Sequence, residues 1–137
     1  MRAAGDADLE LVLSWFRDFQ AEANVNDPPP QAEHVLRRIQ ERGVYLWDDG
    51  GPVSLAAKGR QTAHGVSIGP VFTPVAWRGR GYASACVAAL SQLILDEGWA
   101  FCTLFTDLAN PTSNKIYQQV GYRPVCDFSE IRFTVPG

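Results

Sequence analysis

The sequence has little of what a metal or disulfide scaffold needs: two histidines and three cysteines in 137 residues. Cys86, Cys102 and Cys126 are odd in number and share no close spacing, which argues against a disulfide framework and against a zinc site. Each lies in an apolar segment and reads as a small buried hydrophobe, so no metal is expected. There is no apolar run of about eighteen residues, no signal-peptide pattern and no lipidation motif. No membrane contact is therefore expected, and a cytoplasmic, reduced setting is. An excess of positive charge is missing too, with 12 Lys and Arg against 15 Asp and Glu and a net charge of −3. That argues against a general nucleic-acid binder, which presents a basic patch or stripe. Repeats, low-complexity segments and linkers are all lacking, so residues 1–137 read as a single domain.

The chain does carry 46% hydrophobic residues in two alternating periods. Asp8 to Ala23 places Leu9, Val12, Leu13, Phe16 and Phe19 on one helical face, with Asp6 as the expected N-cap. The prolines of "NVNDPPP", Asn24 to Pro30, force a loop. A second helix follows, with Ala32, Val35, Leu36 and Ile39 inward and Gly43 as its expected C′ residue. Val44 to Trp47 and Pro52 to Lys58 read as a hairpin around Asp48 to Gly51. His64 to Phe72 is a strand interrupted by Gly69-Pro70, the mark of a bulge or a splayed edge. Gly81 to Glu97 is a helix closed by Gly98, and Ala100 to Asp107 is a buried strand. "NPTSNKIYQQVG" is a short helix with Asn110 as N-cap, Pro111 at N1 and Gly121 at C′. The tail from Tyr122 is extended. This order implies an α/β (α+β) layer domain on a mixed sheet. The first strand, Met1 to Ala4, is thin, as in a chain truncated at its N-terminus or forming the C-terminal part of a longer one.

The densest signal is "RGRGYAS", Arg78 to Ser84. The first turn of a helix leaves four N–H groups unpaired, and with the helix dipole these attract anions. Gly79 and Gly81 lack a Cβ and let a phosphate approach the backbone. Arg78 and Arg80 add fork-shaped donors. A dinucleotide fingerprint would need glycine where Ser84 stands, and a Walker loop is absent. Either the turn holds a pyrophosphate, or its glycines merely end a strand and start a helix.

"RGRGYA" resembles the pyrophosphate signature R/Q-x-x-G-x-G/A of the GNAT N-acetyltransferase superfamily, with Arg78, Gly81 and Ala83 at the fixed positions. "NPTSNKIYQQVGY" resembles that family's later motif through Asn110, Tyr117, Gly121 and Tyr122. The resemblance is strong over Val66 to Tyr122, and the first 60 residues match in element order alone. The wording of "TDLANPTSN" and "YASACVAALSQ" is similar to uncharacterised bacterial members.

The resemblance implies a mostly antiparallel mixed sheet, helices on both faces, and a parallel strand pair that splays to admit acetyl-CoA. The Gly69-Pro70 interruption is where the splay is expected. Val71, Phe72 and Thr73 would pair with the pantetheine arm, and an N–H at or near Val71 would polarise the thioester carbonyl. Arg78, Gly79, Arg80, Gly81, Tyr82, Ala83 and Ser84 would take the pyrophosphate. Asn110 would hold the arm or act simply as N-cap, and Ser113 would touch the cofactor or complete the cap. Tyr117 would protonate the leaving thiolate, its rival role being a packed core tyrosine.

No base is evident, since "HGVSIGPVF" lacks the glutamate that many relatives carry there. His64, Asp107 or a water chain remain. Asp27, Asp48, Asp49, Asp127 and Glu130 would suit a cationic acceptor. The implied activity is direct acetyl transfer from acetyl-CoA to a primary amine. The alternatives are a non-catalytic CoA-binding module and a fragment whose groove is filled by a longer chain. A homodimer stays open as an assembly.

Overall fold

The structure is a computed structural model and describes residues 1–23, 28–105, 123–124 and 130–134. Its elements run β1 (Arg2–Ala3), α1 (Leu9–Ala23), α2 (Ala32–Gln40), β2 (Val44–Asp48), β3 (Pro52–Gln61), β4 (Gly65–Phe72), α3 (Tyr82–Asp96), β5 (Phe101–Phe105), β6 (Arg123–Pro124) and β7 (Glu130–Thr134). The strands form one sheet in the order β1-β2-β3-β4-β5-β7-β6. Every pairing among the described residues is antiparallel except β4 with β5.

Side chains alternate across a strand, so each strand supplies both faces of the sheet. Val44, Leu46, Leu55 and Ala57 turn to one face and pack with Val12, Trp15, Phe16, Val35 and Ile39 of α1 and α2. Tyr45, Ala56, Val66, Ile68, Cys102 and Leu104 turn to the other and pack with Cys86, Val87, Leu90 and Ile94 of α3. Helices thus cover both faces, as the resemblance implies. Cys86 and Cys102 are buried, and burial pushes the Cys86 thiol up to about 12, far from reactive near neutrality. Cys126 lies outside the described residues, as does the helix expected from Asn110 to Gly121.

Two capping expectations are corrected. Asp6 does not cap α1. It opens a short 3-10 turn, Asp6–Asp8, capped by Gly5, whose N–H donates to the Asp8 carboxylate at 2.8 Å. Nor is Gly43 the left-handed residue after α2, because Arg42 takes that conformation with φ 56°. The Arg42 N–H reaches the Ile39 carbonyl at 3.0 Å and the Gly43 N–H reaches the Arg38 carbonyl at 2.8 Å. This is the paired-bond ending in which glycine usually occupies the position held here by arginine. Gly98, with φ 102°, closes α3 as expected.

The thin first strand is fastened at its side chain. Arg2 reaches Asp8 at 2.8 Å and Asp48 at 2.6 Å, tying β1 to the end of β2. At the start of the parallel pair, Gly65 faces Phe101, and a Cβ on Gly65 would clash with the carbons along one edge of the Phe101 ring. Gly65→Ala should therefore destabilise the fold by about 1–3 kcal/mol, the usual cost of forcing extra volume into packed structure, readable as a lower urea midpoint at unchanged slope.

Candidate active site

The geometry of the site follows from how β4 ends. Among the described residues β4 pairs with β5 from Gly65↔Phe101 to Ile68↔Leu104, and β4 itself runs on to Phe72. On its other side β4 stays paired with β3 to the end, at Ala56↔Val71 and Leu55↔Phe72. Between these pairs and Lys58↔Ile68, β4 spends three residue steps where β3 spends two. The extra residue is a bulge at Gly69-Pro70, whose peptide is cis. One added residue reverses the side-chain alternation. Ile68 faces α3, and beyond the bulge Val71 packs on that same side while Phe72 turns to α1 and stacks obliquely on Trp15 at 6.1 Å. β4 is thus irregular at Gly69-Pro70, where the sequence expects a bulge or a splayed edge.

Polar side chains fix the end of β4. The buried Ser54 hydroxyl donates to the Phe72 carbonyl at 3.1 Å and lies 2.8 Å from the buried Thr73 hydroxyl. Each hydroxyl has one proton, so Thr73 donates to Ser54. Val71, Phe72 and Thr73 are therefore held to β3. From α2, one nitrogen of Arg38 (Nη2) donates to the carbonyls of Lys58 at 2.7 Å and Gly69 at 2.9 Å, and the guanidinium lies 5.2 Å from the Phe16 ring centre. Burial lowers the Arg38 pKa below its ordinary value.

The glycine turn lies directly after this strand end. Gly79 and Gly81 have φ 80° and 82°, the left-handed region that other residues enter at a cost. A Cβ on either would meet nothing within 4 Å, so the backbone faces open space. Gly81 is the N-cap of α3, without a side-chain cap and with no acidic residue in the first turn. Its carbonyl accepts from Ala85 at 3.0 Å, which leaves the N–H groups of Tyr82, Ala83 and Ser84 without intrahelical acceptors. Open amides, glycines and a positive dipole end together make a cradle suited to an anion.

The arginines are placed unequally. Arg78 donates to the Thr73 carbonyl at 2.7 Å and to both carboxylate oxygens of Glu22 in α1 at 2.6 Å. Its guanidinium also lies 5.7 Å from the Phe72 ring centre. Arg78 thus braces the turn against α1 and β4. Arg80 is exposed and lies over Trp77 at 5.4 Å. The Tyr82 hydroxyl donates to Asp49 on the β2–β3 turn, and this bond raises the tyrosine pKa.

Asn110, Ser113, Tyr117 and Asp107 lie outside the described residues. His64 precedes β4, at the opposite end of the strand from Val71. Seven residues of extended chain separate the two, roughly 20 Å at 3.3 Å per residue, so His64 is not placed to act beside Val71. Of the acidic residues suggested for an acceptor cleft, Asp48 is bound to Arg2 and Asp49 to Tyr82. Asp27 and Asp127 lie outside the described residues. Sequence reading missed Glu22, Ser54 and Arg38. Only Arg38 carries a signal, since it sits beside Val35 and Ile39 in the helical stripe that faces the core.

Comparison with known proteins gives the following. The family model described as FR47-like protein matches residues 47–131. A ribosomal-protein-alanine N-acetyltransferase from Brucella melitensis superimposes with a TM-score of 0.82 at 17% identity, over 98% of each chain. A GNAT family acetyltransferase from the same organism, in complex with acetyl-CoA, gives 0.72 at 14% identity over 99% of this chain and 87% of that one. The PaiA N-acetyltransferase from Thermoplasma acidophilum, in complex with coenzyme A, gives 0.74 at 13% identity over 98% and 97%. A comparison with curated proteins finds no match.

Proposed function

The chain belongs to the FR47-like family and has the GNAT acetyltransferase fold, and from that premise we propose that it transfers an acetyl group from acetyl-CoA directly to a primary amine. The single observation that carries this reading is the glycine turn after β4, where the amides of the α3 N-terminus lie open just beyond the strand. A diphosphate resting there and an arm running back along the end of β4 would match the two ends of one ligand.

The residues present fit acetyl-CoA. The backbone of Gly79 to Ser84 supplies the diphosphate donors, and Arg80, exposed beside Trp77 and hydrogen-bonded to the Tyr82 hydroxyl, stands at the rim to add charge. Arg78 holds the turn in shape through Thr73 and Glu22. Val71 to Thr73, at the end of β4, would offer the arm what a neighbouring strand offers, and an N–H at Val71 would supply oxyanion-type stabilisation at the acyl carbonyl. When bound, acetyl-CoA supplies an acetyl group activated as a thioester. Asn110 and Ser113 are assigned to the arm, and Tyr117 is assigned the proton that the departing sulfur needs.

One observation favours a second reading, a CoA-binding module without catalysis: β4 carries no carboxylate, and His64 lies at its far end. The deciding experiment follows acetyl-CoA with a thiol reagent across a panel of small amines, N-terminal peptides and lysine peptides. Amine-dependent thiol release supports the transferase. Tight CoA binding with no release above the amine-free rate across the panel supports the module, and absence of CoA binding removes both.

A further inference from the structure

We propose that Arg80 reads the 3′-phosphate of the coenzyme, a second phosphate subsite beside the glycine turn that makes the chain prefer CoA to its dephospho form. The inference rests on the acetyl-CoA reading above and says which phosphate group the arginine meets. Four side chains at the rim of the turn carry it: Trp77, Arg80, Tyr82 and Asp49. The Arg80 guanidinium lies over the Trp77 ring at 5.4 Å. The Tyr82 hydroxyl donates its proton to the Asp49 carboxylate. A hydroxyl has only that one proton, so its lone pairs are left to accept, and Arg80 donates to them. The Asp49 N–H closes its own turn on the Gly51 carbonyl at 2.8 Å, which anchors this chain of bonds on the β2–β3 turn.

The guanidinium is thus held at its face by an indole and at one edge by a phenol. It forms no ion pair among the described residues, whereas Arg78 is spent on Glu22. One of its five N–H donors goes to Tyr82, and the others remain for a ligand. The diphosphate is already met by successive main-chain amides from Gly79 to Ser84, a concave arrangement that suits an anion. CoA carries one other phosphate, a monoester on the ribose, one sugar away from the diphosphate. A long side chain anchored beside the turn, rather than on its amides, suits that separation. A planar fork fits the terminal oxygens of a monoester, which it grips through two parallel bonds.

The test compares CoA with 3′-dephospho-CoA, which keeps the diphosphate and the pantetheine arm. By calorimetry at low ionic strength, where screening is least, wild type should bind CoA about tenfold more tightly than the dephospho form, as charge-assisted bonds allow. Arg80→Gln, with native circular dichroism, should bind both forms alike, at the wild-type affinity for dephospho-CoA. Arg80→Lys keeps the charge without the fork and should keep part of the preference. It decides by the same ratio if Arg80→Gln does not fold. Tyr82→Phe leaves the main chain of the cradle in place and should also lose part of the preference, with dephospho-CoA bound as in wild type, because Tyr82 is a positioning residue for Arg80. Equal affinity of wild type for the two forms overturns the proposal. So does an equal loss for both forms in Arg80→Gln, which puts the arginine on the diphosphate instead. Full preference in Tyr82→Phe overturns the positioning role. Wild-type protein that binds neither form overturns the acetyl-CoA reading itself, and this inference with it.

Discussion

Gly81→Glu should abolish CoA binding while leaving a folded protein. Two effects combine and differ in size. The substituted residue must adopt φ near 82°, which costs about 1–2 kcal/mol for a residue with a Cβ. That strain lowers stability and by itself barely touches affinity. The side chain then enters space in which nothing lies within 4 Å of the Cβ, the space assigned to the diphosphate. A carboxylate there opposes the phosphates, and like charges in contact cost several kcal/mol. At 1.4 kcal/mol per decade, affinity should drop about a hundredfold or more. Gly81→Ala separates the terms, since it carries the strain without the charge and should keep most of the affinity. Calorimetric titration with CoA reads both variants. If Gly81→Glu binds CoA as wild type does, the diphosphate is not at this turn.

The same geometry ranks the charged residues. Arg78 heads the motif, yet its guanidinium is spent on Thr73 and Glu22, and its contribution is the shape of the loop. The donors that remain for a dianionic ligand are the amides from Gly79 to Ser84, with Arg80 at the rim over Trp77. Positive φ at two glycines flanking one arginine aims successive amides outward, a concave arrangement that binds anions through backbone alone. Because those groups belong to the main chain, changing the arginine side chains should affect the site less than changing Gly81.

What could be read from the sequence was local. The helical stripe of α1, the hairpin of β2 and β3, the interruption at Gly69-Pro70 and the glycine turn each rest on residues a few positions apart, and each is present. The bulge could be read because proline cannot donate to a ladder and an added residue must reverse the faces. The misplaced caps were local too, and they failed for a stated reason. Gly43 and Asp6 are good capping residues, but neighbours one or two positions away satisfy the same amides and carbonyls. What could not be read was long-range pairing between polar side chains. Glu22 and Arg78 are 56 residues apart and Arg38 and Gly69 are 31 apart, and no pattern in either segment names its partner. Arg38 alone betrayed itself, as a charge among core-facing residues where a bare cation could not stay.

Tyr117→Phe should separate binding from chemistry. The substitution removes one hydroxyl and leaves the ring, so CoA affinity should stay close to wild type if the tyrosine packs beside the arm. Attack of an amine on a thioester expels a thiolate, and a proton delivered to the sulfur as it leaves is worth about 10²–10⁴-fold in rate. Turnover at saturating acetyl-CoA should fall by about a hundredfold or more on that basis, with the CoA dissociation constant unchanged. A tyrosine that is only core packing predicts the opposite split, with lower stability from a lost internal hydrogen bond, about 1 kcal/mol, and turnover near wild type. Thiol release at saturating donor and amine, set beside calorimetric CoA binding and a thermal melt on the same preparation, distinguishes the two. Wild-type turnover from the phenylalanine variant would take Tyr117 out of the acid role and leave the sulfur to be protonated by water.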